Sequence, residues 1–195
     1  MRASLLRREV PQFLLAFAAL VAATLAVDAL LHATGAVGMG RYLGPAGTLL
    51  IVLSFVYSLR KRKLIRAGNP ARLLRLHERM AWAGSLLVLV HAGIHFNGLL
   101  AWLAVLAMLV TVGSGLTGKF LLSRARARLE ESRARLRSEG LSPEAIEDHL
   151  FWDSLTFGVV KQWRRAHYPI TLAFALLTLG HIAAVLVLGA SWRWR

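Results

Sequence analysis

Cysteine is absent from all 195 residues. Its absence excludes disulfides, Cys-ligated iron–sulfur clusters and thioether-attached c-type haem. Acidic residues are scarce, 10 Asp+Glu against 24 Lys+Arg, which leaves a formal net charge of +14. No strand-turn-helix glycine fingerprint for a nucleotide or dinucleotide phosphate is present. Any redox role therefore needs a cofactor held without a covalent bond. What the chain has in excess is apolar residue, 56% of the total, with a mean hydropathy of +0.54. A soluble domain rarely combines that average with so large a charge. Basic blocks between long apolar runs explain both and mark an integral membrane protein. Nucleic-acid binding, the usual inference from a pI near 11.6, loses force once the basic residues are seen to flank apolar runs.

Crossing a bilayer core of roughly 30 Å takes about 20 apolar residues of helix. Five segments qualify: Pro11 to about Leu31, about Leu43 to Leu59, about Met80 to Phe96, about Leu99 to Leu122, and about Tyr168 to Ala190. The third extends as helix toward Leu73, because Leu73, Leu76, Met80 and Leu87 recur at helical spacing. Gly35 to Gly44 reads as a glycine-rich turn and Phe96-Asn97-Gly98 as a tight one. The first span is read as retained rather than as a cleaved signal peptide. Its apolar region is too long for one, and its small-residue cleavage pattern is poor. The expected fold is all-α: one membrane domain over residues 1–195, a bundle of five transmembrane helices with a cytoplasmic helical hairpin between the fourth and fifth.

Basic residues orient the bundle, since they accumulate on the cytoplasmic side. Twenty-one of the 24 fall on one side, leaving Arg41, Arg193 and Arg195 opposite. The N-terminus is expected in the cytoplasm and the C-terminus outside, in the cytoplasmic (inner) membrane of the cell. Residues 123–166 form the hairpin. Arg126–Glu130 and Glu131–Arg135 are opposite charges at i,i+4, as on a solvated helix. Gly140 ends that helix, and Ser142 caps a second, short one with Pro143 at its first position. Trp152, Phe157 and Trp163 suggest that this second arm lies at the membrane surface. The hairpin either covers the bundle or docks a partner.

The chemistry is expected from the seven histidines, at 32, 77, 91, 95, 149, 167 and 181. Ionisable residues at membrane depth are costly and face the bundle interior or a cofactor. His77 and His91 are 14 positions apart, and so are His167 and His181. Fourteen residues of helix rise about 21 Å and stop about 40° short of four full turns. Each pair therefore puts two imidazoles on roughly one face, one near each side of the membrane. The third and fifth spans run in the same direction, so His77 is level with His167 and His91 with His181. Two imidazole nitrogens from facing helices are what clamps a haem iron from both axial sides. Two levels imply two haems, of b type because no covalent attachment motif exists.

Two His-x13-His helices separated by one helix resemble the haem core of the membrane cytochromes b. They are similar also to the transmembrane part of ferric reductases and NADPH oxidases. RLHERMAWAGSLLVLVHAGIHF and AHYPITLAFALLTLGHIAAVL carry the resemblance, which covers about Leu73 to Ala190. It implies a di-haem cytochrome that passes single electrons between a redox partner and quinone or a second partner. No flavin or nicotinamide domain accompanies these spans. Electrons are therefore expected from a separate subunit or soluble donor, and whether the chain is itself an enzyme stays open.

Around the ligands, Gly84 lies seven residues from both His77 and His91, where it leaves room for a porphyrin edge or a close helix contact. Phe174 holds the matching midpoint between His167 and His181, to fill the space between macrocycles or to pack an ordinary core. His95 is the alternative to His91 as outer ligand, since i and i+4 share a face. Asp28 and His32, also i,i+4, together with His95, are candidates for a proton-accepting quinone site. Arg79 and Arg165 at the inner level, and Arg41 at the outer, are candidate propionate partners. His149 is expected to be solvated. Two other functions use the same residues. One is a histidine-lined protein that binds a transition metal. The other is a structural or assembly subunit of a membrane complex with the histidines merely packed.

Overall fold

The computed structural model describes the backbone of residues 5–94 and 98–192, and their side chains except at 5–9, 121–125, 156, 159–160, 163–164 and 188–192. About 90% of the described residues are helical, and they contain no strand. In chain order the helices are α1 (Leu5–Ala33), α2 (Gly40–Ser54), α3 (Val56–Lys61), α4 (Pro70–Ile94), α5 (Leu99–Leu116), α6 (Ser123–Ser138) and α7 (Pro143–Trp192). A 3₁₀ turn at Val37–Met39 leads into α2, and a π-helical stretch at Thr117–Leu122 joins α5 to α6. Among the described residues four segments are long and apolar enough to cross a membrane: Val10–Ala33, Val37–Lys61, Leu99–Phe120 and Arg165–Val187. They correspond to the first, second, fourth and fifth expected spans. The third, α4, does not reach that standard over its described residues. Its first half carries Arg72, Arg75, Glu78 and Arg79, and His77 and His91 further lower its apolar average.

Each apolar segment keeps most of its surface outside the protein core. Only 6% of the best window of the first and last is buried, and 17% of the other two. Leu15, Leu25, Leu30, Leu49, Leu106 and Leu186 stay exposed. So many large apolar side chains left outside, along helices of spanning length, suit an apolar medium. Hydroxyls within these helices close back on their own backbone: Thr24 to Leu20 O at 2.9 Å, Thr111 to Ala107 O at 2.8 Å and Thr117 to Gly113 O at 2.9 Å. Such bonds satisfy a hydroxyl where water is absent.

The chain divides into two compact units. The first comprises Met1–Ala18 and Gly113–Leu172. Its α6 and the start of α7 pack through Leu129, Leu136, Ile146 and Leu150, closed by Leu141 and Phe157. The turn between them is set by local chemistry. Gly140 adopts φ 81°, and its N–H bonds Arg137 O at 3.1 Å while that of Leu141 bonds Leu136 O at 3.3 Å. That pair of bonds is a Schellman cap, which needs a left-handed residue. Ser142 then accepts the Ala145 N–H at 3.3 Å, opening α7 as its N-cap. Arg126 meets Glu130 at 2.9 Å, and Arg135 lies 3.7 Å from Glu139. The expected short second arm is instead the beginning of α7, which runs from Pro143 to Trp192 without interruption. No glycine–proline break separates arm from span. Pro169 is tolerated inside the helix, at the loss of one backbone hydrogen bond.

The second unit comprises Ala19–Val112 and Ala173–Arg195. Here the expected turn over Gly35–Gly44 is only half a turn. Gly35, at φ 67°, ends α1, but helix resumes at Gly40. Gly40, Gly44 and Gly47 are buried on one side of α2, where they let a second helix approach. That helix is α4, which starts cleanly because Asn69 Oδ1 accepts the Ala71 and Arg72 N–H groups at 2.9 and 3.3 Å ahead of Pro70. A Cβ at Gly40 would meet Ile94, one at Gly44 would meet His91, and one at Gly47 would meet Gly84 O at 2.7 Å. Numbers rise along α2 as they fall along α4, so the two helices are antiparallel.

Candidate histidine site

The α2–α4 seam positions two of the four expected ligands. His91 donates from Nδ1 to Gly40 O at 2.9 Å, and His77 donates from Nδ1 to Ser54 O at 3.1 Å. The two acceptors sit at opposite ends of α2 because the partners are 14 residues apart on α4. A carbonyl oxygen can only accept, so each bond fixes the proton on Nδ1. In the neutral ring the lone pair then lies on Nε2. This is the tautomer and the anchoring that a metal-ligating imidazole uses, its second nitrogen held by a backbone carbonyl.

Each ring is also held sideways. His91 lies against Gly44: a Cβ there would be 2.7 Å from Cδ2 and 2.9 Å from both Cγ and Nε2. His77 stacks against Tyr57 with ring centroids 5.6 Å apart and an interplanar angle of 30°. Both imidazoles are half-buried. Between them Gly84 is buried with its backbone against Gly47, a Cβ on it meeting Gly47 O and Ile51 Cγ1 at 2.8 Å. Of the two expectations for Gly84, the close helix contact is the one its surroundings match.

His167, in the other unit, is hydrogen-bonded through Nδ1 to Ser114 Oγ of α5, and Ser114 is fully buried. Its backbone oxygen accepts from Thr171 at 2.7 Å. His181 is half-buried on α7. Beside it Gly180 marks a close approach of α5, since a Cβ would lie 3.1 Å from Leu100 Cδ2. Phe174 is buried, 7% exposed, on the same helix.

The remaining histidines behave differently. His32 and His149 are exposed, and each donates from Nδ1 to the carbonyl four residues back in its own helix, Asp28 O and Ala145 O, both at 2.9 Å. That is local helix chemistry and orients nothing across the fold. Three of the expected ligands are thus anchored to another helix, while two of the other histidines are not. His95 lies outside the described residues.

Asp28 turns one oxygen toward α4. A Cβ at Gly93 would stand 3.6 Å from Asp28 Oδ1, which is buried with no hydrogen-bond partner among the described residues. Its Oδ2 is 3.6 Å from His32 Nδ1. Arg41, Arg79 and Arg165 are exposed, and the Arg41 guanidinium lies 5.0 Å from the Tyr42 ring centroid. Among the described residues no group of three His, Cys, Asp or Glu gathers in a way that could hold a metal ion by itself.

Sequence reasoning placed the histidines but not what holds them. Gly40, Gly44, Ser54, Tyr57 and Ser114 were not singled out. The spacing of Gly40, Gly44 and Gly47 at i, i+4 and i+7 was the available signal. No family model, no curated protein and no solved structure matches this chain.

Proposed function

We propose that this chain is a di-haem b-type cytochrome that carries electrons across a membrane between a redox partner and quinone or a second partner. The observation that carries the reading is the cross-helix anchoring of His77 and His91 by Ser54 O and Gly40 O, which orients two imidazoles 14 residues apart for ligation through Nε2. His167, held by Ser114, and His181 at the same spacing on α7 complete the set.

On this reading His77, His91, His167 and His181 would supply the ligands of two haems, and α4 is the fifth membrane-spanning segment. A haem held by two histidines, when bound, supplies one-electron transfer with no open position for oxygen or a small substrate. The chain's own residues do the rest. Backbone carbonyls of α2 fix ring orientation, Ser114 fixes that of His167, and the apolar faces of the helices exclude water. Phe174 packs the core of α7 between its two ligands. Basic residues at the cytoplasmic ends set the orientation, N-terminus inside the cell and C-terminus outside, with the α6–α7 hairpin in the cytoplasm beside a partner subunit or soluble donor.

The test uses vesicles reconstituted with the protein, ferricyanide trapped inside and ascorbate added outside. The interior ferricyanide is expected to be reduced at a rate proportional to the protein present, and at the protein-free rate with His91→Ala. A wild-type rate no higher than that of protein-free vesicles contradicts transmembrane electron transfer.

A further inference from the structure

We propose that α2 is the positioning element for the outer iron ligand, with Gly44 as a positioning residue that seats the His91 imidazole; this rests on the di-haem reading. The three atoms nearest a Cβ at position 44 all belong to that ring, at 2.7, 2.9 and 2.9 Å. Real Cβ atoms essentially never come closer than 3.0 Å to another heavy atom, so one of the two must move. The ring is not a free end. Its Nδ1 is tied to Gly40 O at 2.9 Å, one helical turn before Gly44. A methyl group at 44 therefore tilts the ring about that bond or pulls the bond open. Either movement displaces Nε2, the nitrogen that would meet the iron.

The neighbouring glycines separate this role from packing in general. Gly47 lies on the same seam, but its Cβ would meet Gly84 O, Val88 and Leu87 and no histidine atom among its three nearest. Gly38, just before α2, has nothing within 4 Å. An alanine at 47 loads the helix pair, an alanine at 38 loads nothing, and an alanine at 44 loads the ligand.

Two readouts test the assignment. The first is thermal unfolding of wild type, Gly44→Ala, His91→Ala and the double variant. Gly44→Ala is expected to lower the midpoint in the wild-type background and not in the His91→Ala background, where the ring is gone. An equal fall in both backgrounds overturns the seat. Should Gly44→Ala fail to accumulate, recovery of yield in the double variant supports the seat and continued loss contradicts it. The second readout is the electron paramagnetic resonance spectrum of the oxidised protein. Gly44→Ala is expected to move the largest g-value of one of two low-spin haem signals, while Gly38→Ala leaves both in place. Unmoved signals in Gly44→Ala, or the same movement in Gly38→Ala, overturn the positioning role. A wild-type protein without haem overturns the di-haem reading itself, and the thermal cycle still reports whether the ring rests on Gly44.

Discussion

His91 Nδ1 lies 2.9 Å from the carbonyl oxygen of Gly40, a residue 51 positions earlier in the chain. A carbonyl oxygen has two lone pairs, so Gly40 O, in the first turn of α2, can accept the His91 side chain beside a backbone N–H. At the other end Ser54 O is accessible to His77 because α2 ends there. One short helix thus offers a carbonyl at each end to a histidine of its antiparallel neighbour. The separation of the histidines and the length of α2 match for that reason.

If the four expected ligands hold haem, replacing them separates from replacing the other histidines. His77→Ala, His91→Ala, His167→Ala and His181→Ala should each cost one haem of two, whereas His149→Ala should keep both. Pyridine-haemochrome titration of each purified variant distinguishes the classes. Equal haem content in His91→Ala and wild type would remove His91 from the ligand set.

Ser114 is the hydrogen-bond partner of His167 Nδ1 from within α5. Losing a partner of that kind weakens metal-site affinity about 10- to 100-fold. Ser114→Ala should therefore lower haem affinity by that order at one site only, read by titrating haem into the depleted protein. An unchanged binding curve would show that this bond does not tune a ligand.

The Gly47–Gly84 crossing leaves no room for a side chain, since either Cβ would stand within 2.8 Å of the opposing carbonyl oxygen. Overpacking of that kind typically costs about 1–3 kcal/mol. Gly84→Ala should lower the thermal midpoint in detergent by roughly 2–4 °C per kcal/mol for a chain of this size. A midpoint equal to that of wild type would mean that α2 and α4 can separate at no cost.

Leu150 is the centre of the α6–α7 cluster, 1% exposed. Truncation of such a leucine costs about 2–5 kcal/mol. Leu150→Ala should open the hairpin to limited proteolysis around Gly140 while the membrane-embedded fragments stay intact. Resistance equal to wild type would show that the cluster does not hold the hairpin.

The absence of native cysteine makes sidedness directly measurable. Glu139→Cys at the hairpin tip and Gly38→Cys before α2 should react with a membrane-impermeant maleimide from opposite faces, position 139 from the cytoplasmic side. Labelling of both from one face would contradict the proposed orientation.

Element boundaries at the hairpin were legible in the sequence because they rest on local chemistry, Gly140 for a left-handed turn and Ser142-Pro143 for a helix start. The four strongly apolar segments were legible from composition alone. The helical start of α2 was not. Gly40 and Gly44 favour turns locally, and only their packing against Ile94 and His91 makes a helix the better state for them. The run of α7 through Pro169 was hidden for the converse reason, that a proline marks a boundary unless the helix tolerates one missing bond. Among the candidate site residues, the pairing of His77 and His91 on one helix was legible by period. Their acceptors were not, because a backbone carbonyl carries no signature in the residue that supplies it.

The central claim is tested most directly by counting haem and iron in the purified wild-type protein. The account predicts two non-covalently bound haems and two iron atoms per chain, with a reduced spectrum of b type. Protein isolated from freshly prepared membranes with no haem, or with zinc or copper in place of iron, would contradict it.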